Sequence, residues 1–240
     1  MRTLIIVPAY NEEASVSGTL AELRATAPGV DIVVVDDGSR DSTSTVARES
    51  GVFTLRLPFN TGVGGAVRTG LRFAEQQRYE RAIVVDADGQ HDPRSITALL
   101  DRLDTGTDLV IGSRFADSTS TYHVGRARRQ AMRFLGALVY RITGQRFTDV
   151  TSGYRAFSRP AIELLAREYP SEYLADTVEV LLIAHRAGLS LDEVPAAMRV
   201  RAAGVPSSRN VRLAVNYLRL LVEIACGGYR HPRTTRMEPT

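Results

Sequence analysis

Apolar and polar positions alternate along the first half of the 240-residue chain in a way that separates strands from helices. Short β-branched runs, typical of strands, lie at residues 4–7, 32–35, 53–57, 83–85 and 109–111. Between them, the spacing of apolar residues predicts helices over 15–26, 42–50, 66–77 and 93–103. This rhythm predicts an α/β fold with a mostly parallel central sheet flanked by helices. Because each run is uniformly apolar, we expect every strand to be buried on both faces.

The pattern changes in the second half of the chain. A polar stretch over 115–125, rich in Ser and Thr, predicts a loop or lid. Three helices, a strand and a last helix are then predicted, over 126–143, 160–167, 176–187, 191–200 and 211–226. The last helix carries an apolar face that could dock on the sheet or rest on a membrane surface. The tail over 227–240, with two prolines and four basic side chains, is predicted to be disordered.

Composition indicates one globular unit of enzyme size. Hydrophobic residues make up 44% of the chain, which is enough to fill a sizeable core. The net charge is only +3, from 30 Lys and Arg against 27 Asp and Glu, and no nucleic-acid partner is expected. Basic residues nevertheless gather in the second half, which suggests an anionic partner there. The sequence leaves the oligomeric state open, a homo-oligomer included.

Cysteine usage and hydropathy indicate the compartment. The single cysteine, Cys226, excludes a disulfide framework and a cysteine-based metal site, and it fits a reducing compartment. The N-terminus lacks a signal-peptide pattern, and no apolar run approaches the ~20 residues that span a bilayer. We therefore expect a cytoplasmic protein, and the apolar face of the last helix is compatible with peripheral attachment to the inner face of the membrane.

Polar clusters follow four of the predicted strands, at residues 8–12, 36–39, 60–65 and 86–88. In open parallel sheets, ligands bind outside the carboxyl ends of the strands, so we expect these four loops to meet at one rim. Asp86 and Asp88 flank the small Ala87, and alternate side chains of an extended segment share a face. Paired carboxylates suit Mg²⁺ or Mn²⁺ held against substrate phosphates, although two Asp that merely cap a turn give the same pattern.

Together, the segments 7–13, 35–43, 60–65 and 86–90 resemble, in order and spacing, the family 2 glycosyltransferases. The likeness is greatest to the polyprenyl-phosphate glycosyltransferases that transfer mannose or glucose, such as dolichol-phosphate mannose synthase. It continues through 112–114 and 151–155 to about Arg201. The resemblance implies a GT-A-like fold.

The resemblance also implies a division of the chain by function. We expect a single catalytic domain over 1–226, followed by the tail. Its half over 1–112 would bind the nucleotide sugar, and its half over 113–226 would bind the acceptor.

The same resemblance implies which residues bind the donor. They are Pro8, Ala9, Tyr10, Glu12, Asp36, Asp37, Gly65, Asp86, Ala87 and Asp88. The residues themselves are compatible with this role, since Tyr10 offers an aromatic face and Asp36 or Asp37 an acceptor for a uracil or guanine edge. A packed tyrosine and an Asp-Gly turn would explain them equally well.

Glycines at 62, 64 and 65 precede a helix, where bare backbone can approach a phosphate. Many members of the resembled family carry a lysine in this loop. Here Val63 and Gly64 stand instead, and Arg68 is the candidate to replace that lysine.

For the ion, the resemblance implies that Asp86 and Asp88 are ligands of Mg²⁺ or Mn²⁺ and that Gln90 is a third contact. His91 and Asp92 are candidates to support these ligands from behind. A divalent cation in this position would stabilise the departing nucleoside diphosphate as a Lewis acid.

Acceptor binding is expected from arginines, whose planar forks match phosphate oxygens. The resemblance implies a lipid-phosphate site built from Arg114, Arg126, Ser152, Arg155 and Arg201. For Arg126, a solvated basic helix face is an equal alternative.

A phosphate monoester is already anionic near neutral pH, so such an acceptor needs no general base. Family members that act on hydroxyls usually carry an acidic motif in this region, and this chain lacks one. Asp149 is the nearest acid, and it either orients an arginine or the lid or acts as a base. The predicted catalytic set is Asp86, Asp88, Arg114, Asp149 and Arg155.

These inferences predict a metal-dependent, inverting transfer of a sugar from a GDP-mannose or UDP-glucose type of donor to a polyprenyl phosphate. Inversion is taken from the resemblance. Two alternatives stay open: transfer to a saccharide hydroxyl, and a nucleotide-binding module without turnover.

Overall fold

The computed structural model describes residues 1–116, 126–170 and 176–199, all of which lie in a compact unit that spans 1–205. Most of the predicted lid, the predicted helix over 211–226 and the tail over 227–240 lie outside these ranges, as do Arg201 and Cys226. Within the described ranges, no helix has the length and apolar character that a membrane span requires.

A seven-stranded sheet forms the centre of the described chain. Its strands are β1 (Thr3–Ala9), β2 (Asp31–Asp36), β3 (Phe53–Arg56), β4 (Arg81–Val84), β5 (Leu109–Ser113), β6 (Arg155–Ser158) and β7 (Leu191–Pro195). They are ordered β3-β2-β1-β4-β6-β5-β7. β6 runs antiparallel to both neighbours, and the other pairs are parallel. The predicted α/β fold with a mostly parallel sheet is confirmed.

Helices cover this sheet much as the apolar spacing predicts. They are α1 (Val16–Thr26), α2 (Thr43–Glu49), α3 (Val63–Gln76), α4 (Ile96–Asp104), α5 (Arg126–Thr143), α6 (Arg159–Glu168) and α7 (Asp176–Arg186). α3 begins three residues earlier than predicted, because Gly62 adopts a φ of 86° and starts the helix there. The helix predicted from residue 93 is a short 3-10 turn, Pro93–Ser95, that leads into α4.

The strands differ from the prediction in three respects. β7 ends at Pro195, although a strand was predicted over 191–200. β3 is not buried on both faces, since it lies at the edge of the sheet and Phe53 is 59% exposed. β6 was not predicted at all. It has only four residues and begins with the charged Arg155, so it lacks the apolar run by which the other strands were recognised.

The register of the central strands brings the candidate residues to one edge. Ala9 pairs with Asp36, and the Asp37 N–H donates to the Ala9 carbonyl at 2.8 Å. The Val85 N–H donates to Ile6 at 3.0 Å, so β4 ends beside β1. Because β6 runs antiparallel, its first residue lies at this same edge. The predicted convergence of strand-end loops is therefore confirmed.

Candidate active site

The loop after β4 carries the two predicted ion ligands, and neighbouring elements fix its backbone. The Asp86 side chain is 38% exposed, whereas Asp88 is only 7% exposed and accepts a hydrogen bond from the Gln90 N–H at 2.9 Å. The Thr19 hydroxyl of α1 donates to the Ala87 carbonyl at 3.0 Å. This arrangement leaves Asp86 as the more accessible of the two carboxylates.

The donor set of this loop fits a divalent cation that substrate helps to bind. In the described ranges, no three His, Cys, Asp or Glu side chains cluster closely enough to hold a metal by themselves. Mg²⁺ in nucleotide sites is typically held by one or two carboxylates, and phosphates and water complete its shell. Asp86 and Asp88 supply those hard oxygens. Gln90 contributes main-chain contacts, since its carbonyl accepts from the Arg199 N–H at 2.8 Å.

His91 and Asp92 lie buried behind this loop. His91 accepts the Asp86 N–H at 3.0 Å through Nδ1, and its ring stacks on Tyr154 with centroids 4.5 Å apart. Asp92 is bound by the guanidinium groups of Arg94 and Arg199. The Arg94 side chain, by hydrogen bonding to the carboxylate, lowers the pKa of Asp92 to about 2. Both side chains therefore support the loop from inside the protein.

The loop after β1 forms the next part of the rim. Pro8 and Ala9 are buried at the end of β1, while the Tyr10 side chain is 37% exposed. Glu12 is buried and accepts a hydrogen bond from the Ser15 hydroxyl at 2.6 Å. Tyr10 therefore offers a face at the rim on which a base could stack, whereas Pro8 and Ala9 shape the backbone beneath it.

The two acids after β2 differ in what they bind. Asp36 is fully buried; its Oδ1 accepts the Ser39 N–H at 2.9 Å, and its Oδ2 lies 3.5 Å from the Arg56 guanidinium. Asp37 accepts three hydrogen bonds, from the Thr61 N–H at 2.7 Å, the Thr61 hydroxyl at 2.8 Å and the Gly62 N–H at 2.8 Å. Burial raises the pKa of Asp37. Its carboxylate therefore organises the glycine loop.

That glycine loop is tightly packed. A Cβ on Gly65 would lie 2.2 Å from the Thr61 hydroxyl oxygen, so the position requires glycine unless Thr61 moves. The idea that Arg68 replaces the missing lysine is wrong. Its guanidinium donates to the Arg167 carbonyl, and Arg72 donates to Ala166 at 3.0 Å, so both arginines cap the C-terminus of α6.

At the carboxyl end of β5, Arg114 and Asp149 form a buried ion pair. The Arg114 guanidinium donates to both Asp149 oxygens and also to the Thr151 hydroxyl, at 2.8 Å. This bidentate geometry fixes the orientation of the arginine. Of the two roles predicted for Asp149, the geometry favours orienting an arginine over acting as a base.

Two other predicted acceptor residues lie inside the protein wall. Arg155 is 1% exposed and donates to the carbonyls of Ser152, Val150 and Thr177. The Ser152 hydroxyl donates to the Gly112 carbonyl at 2.6 Å. Both side chains hold the segment between α5 and β6 in place. The side chain of Arg126, like Arg201, lies outside what the structure describes.

A cavity of about 570 Å³ opens beside the Arg114–Asp149 pair. Its lining is mostly apolar and comes from α5, from the residues that follow α5 and from Phe115, which follows β5: Phe115, Arg129, Met132, Arg133, Gly136, Ala137, Tyr140, Arg146, Phe147 and Thr148. The Arg114 guanidinium lies 5.6 Å from the centre of the Phe115 ring, which links the pair to the cavity. The sequence contained a signal for it, because Met132, Gly136 and Tyr140 recur at intervals of four and share one face of the basic helix.

Comparison with known proteins identifies the family. The model of the family described as glycosyl transferase family 2 matches residues 4–165. The chain belongs to glycosyl transferase family 2. Undecaprenyl-phosphate mannosyltransferase of Micrococcus luteus is 35% identical over 213 residues, which cover 85% of this chain and 86% of that protein. Polyprenol monophosphomannose synthase of Mycolicibacterium smegmatis is 30% identical over 223 residues, covering 89% and 84%.

Solved structures support the fold of this family 2 glycosyltransferase. Glucosyl-3-phosphoglycerate synthase from Mycobacterium tuberculosis, in complex with Mn²⁺, UDP and phosphoglyceric acid, matches it with a TM-score of 0.69. The identity is 21%, and the match covers 94% of this chain and 78% of that one. The GT-A fold implied by the sequence motifs is thereby confirmed.

Proposed function

We infer that this family 2 glycosyltransferase transfers a hexose, with inversion, from a nucleoside-diphosphate sugar to a polyprenyl phosphate. The observation that carries the acceptor half of this proposal is the apolar cavity beside the Arg114–Asp149 pair. A polyprenyl phosphate combines an apolar chain with an anionic head. A mostly apolar cavity with Arg129, Arg133 and Arg146 in its lining matches both parts. The names of the two relatives support the same acceptor class.

On the donor side, Tyr10, Glu12 and Asp36 would line the nucleotide pocket, with Gly65 close to the phosphates. Asp86 and Asp88 would hold Mg²⁺ or Mn²⁺ on the diphosphate. The ion would supply Lewis acidity that stabilises the leaving group as the glycosidic bond breaks. The named relatives are mannosyltransferases, and the solved neighbour was crystallised with UDP and Mn²⁺, so both GDP-mannose and UDP-glucose belong in the test.

The same geometry supports a phosphate acceptor. Asp149 is engaged by Arg114 and Thr151, which suits a residue that positions a cation better than one that removes a proton. An anionic phosphate acceptor needs no such base. Arg114 would face the anionic phosphate of the acceptor. Arg155 and Ser152 would act as the scaffold behind it.

The test is a transfer assay with the full chain. Radiolabelled GDP-mannose or UDP-glucose is incubated with Mn²⁺ and a polyprenyl phosphate, and the lipid-linked sugar is extracted and counted. Polyprenol without phosphate is the matched acceptor control. Asp86→Asn and Asp88→Asn should each lower turnover at least ~100-fold, by analogy with the loss of other transition-state charge contacts. Asp104→Asn, an exposed acid on α4, is the variant control and should keep full activity.

Two results would contradict the proposal. Transfer to a saccharide hydroxyl, with the lipid phosphate inactive, would favour the first alternative. Binding of a nucleoside diphosphate without release of it from any sugar donor would favour a binding module. The anomeric configuration of the product, read by NMR, tests inversion.

A further inference from the structure

His91 is placed to control the exposed ion ligand. It is buried, and its Nδ1 accepts the Asp86 N–H at 3.0 Å. A ring nitrogen that accepts a hydrogen bond does not carry the ring hydrogen, so Nε2 carries it. Nε2 lies 3.5 Å from Oδ2 of Asp86. One imidazole therefore contacts both the backbone and the carboxylate of the same acid.

The other face of His91 belongs to the acceptor half of the fold. Its ring stacks on Tyr154 with an interplanar angle of 14°. Tyr154 is fully buried, and its hydroxyl donates to the Asp92 carbonyl at 3.1 Å. A Cβ on Gly112 would lie 3.2 Å from the Tyr154 ring, so β5 packs closely against the tyrosine. His91 thus joins the loop after β4 to the segment that precedes β6.

Asp86 itself lies between these two parts. A Cβ built on Gly153 would be 3.8 and 3.9 Å from the two Asp86 carboxylate oxygens. The acceptor-side backbone therefore borders the carboxylate on one side, and His91 contacts it on another. A half-exposed aspartate at a loop would otherwise lose rotamer freedom each time it bound an ion.

We propose that His91 is a positioning residue for the divalent-cation site, held in place by its stack on Tyr154. The inference rests on the proposed function, since it assumes that Asp86 is an ion ligand. His91 does not touch the ion. It holds the Asp86 backbone and carboxylate in the orientation that the ion and the diphosphate require, as hydrogen-bonding partners of metal ligands do in other sites.

A general packing role would make a different prediction. If His91 only filled space, the phenyl ring of the variant His91→Phe would replace the imidazole well, because an aromatic ring preserves the stack on Tyr154. A positioning role predicts that this variant fails, because the Asp86 N–H and carboxylate lose their partner. In His91→Asn, the amide oxygen can still accept from the Asp86 N–H, while the stack and the Nε2 contact are lost.

The experiment measures Mn²⁺ affinity directly, by electron paramagnetic resonance of free Mn²⁺ in titrations of the full chain with GDP or UDP. His91→Phe should raise the Kd for Mn²⁺ about 10- to 100-fold, the range found for lost partners of metal ligands. His91→Asn should raise it by less, because its amide oxygen can still accept from the Asp86 N–H. Tyr154→Phe keeps the stack and loses only the bond to Asp92, so it should bind Mn²⁺ like the unsubstituted protein. Nucleotide affinity without metal should stay unchanged in all three variants.

The possible results test the role of His91 and the existence of the cation site separately. If either His91 variant binds Mn²⁺ as tightly as the unsubstituted protein while Asp86→Asn does not, the positioning role is overturned and the cation site stands. If Asp86→Asn also binds normally, the cation site fails, and the role of His91 fails with it. His91→Asn keeps the proposal falsifiable even if His91→Phe does not fold, since circular dichroism identifies the folded variants before titration.

Discussion

Arg114 and Asp149 show how pairing allows two charged side chains to be buried. Both side chains are buried, and each would be expensive to keep charged alone. Paired, they leave a guanidinium with a fixed orientation beside the cavity. Both residues were candidates from the sequence. Their pairing could not be predicted, because the two residues are 35 positions apart in the chain and no local pattern indicates such a contact.

Removal of one partner should therefore cost more than a surface ion pair. Asp149→Asn should destabilise the protein by on the order of 3 kcal/mol, because it leaves a buried guanidinium without its counter-charge. Arg114→Gln should have a similar cost, and the double variant should cost less than the sum. Urea unfolding measures all three. The matched control is Asp104→Asn, which breaks the more exposed pair with Arg81 and should cost at most about 1 kcal/mol. Additive losses would contradict the coupling.

Asp92 gives a prediction for pH dependence. The hydrogen bonds from Arg94, with the nearby charge of Arg199, lower its pKa to about 2 in the folded protein, against about 3.9 in an unfolded chain. A lowered carboxyl pKa contributes stability that is complete above the unfolded value and disappears as the pH falls through the folded value.

At pH 6, Asp92→Asn should therefore lower the free energy of unfolding by about 1 to 2 kcal/mol, an amount reduced by the exposure of Arg94. The difference between variant and unsubstituted protein should shrink between about pH 4 and pH 2. Urea midpoints measured at several pH values follow it. A difference that stays constant across this window would show that Asp92 acts through packing alone.

At the scale of elements, α5 is where the proposed acceptor site can be tested separately from the chemistry. Ala137 and Gln130 are both exposed on this helix, but only Ala137 lines the cavity. Ala137→Trp should fill part of the cavity and raise the KM for polyprenyl phosphate about 10-fold, equivalent to about 1.4 kcal/mol of lost binding. The KM for the nucleotide sugar should not change. Gln130→Trp, which adds the same ring away from the cavity, should leave both values unaltered.

Two results for Ala137→Trp would contradict the assignment of the cavity to the lipid chain. Equal effects of the two tryptophans, or a rise in the KM of the donor alone, would mean that the cavity does not receive the lipid chain. Initial rates measured with acceptor varied at fixed donor, and then with donor varied at fixed acceptor, separate these cases.

The elements also show what a sequence reveals and where it stops. Runs such as 4–7 and 32–35 could be recognised because buried parallel strands are continuously apolar. These strands also predicted that the four polar loops meet at one rim, since the carboxyl ends of parallel strands lie at the same edge of a sheet. β6 was missed because its first residue, Arg155, is charged and yet buried, satisfied by carbonyls from distant segments. Contacts of this kind depend on tertiary structure.

In the candidate site, too, local features could be predicted from the sequence, whereas contacts between distant residues could not. Asp86 and Asp88 directly follow the apolar run over 83–85, and this local property predicted their place at the end of β4. Asp37 has an equally suggestive sequence context, but its carboxylate is taken by Thr61 and Gly62, 24 and 25 positions away. The partnership of His91 with Tyr154 was likewise not readable from sequence, because the two rings meet across the fold.

For the whole molecule, the antiparallel β6 brings the segment that precedes it to the edge of the sheet where the loops after β1, β2 and β4 begin. Gly153 and Tyr154 precede this strand, and they lie against Asp86 and His91. Residues from 1–112 and from 113–226, the two halves that the resemblance implied, therefore meet at this edge. Occupation of the donor site should stabilise the fold as a whole, because a ligand that binds only the folded chain shifts the unfolding equilibrium.

This linkage gives a prediction for the intact protein. At 100 times its Kd, a nucleoside diphosphate with Mn²⁺ should add about 2.7 kcal/mol to the free energy of unfolding. For a chain of this size, that corresponds to a rise in Tm of about 5 to 10 °C. Differential scanning fluorimetry with GDP or UDP, each with Mn²⁺ or with EDTA, measures the increment that depends on metal. Asp86→Asn should lose most of that increment, whereas Asp104→Asn should retain it. An increment of equal size with EDTA would mean that the nucleotide binds without the cation, and it would remove the role assigned to Asp86.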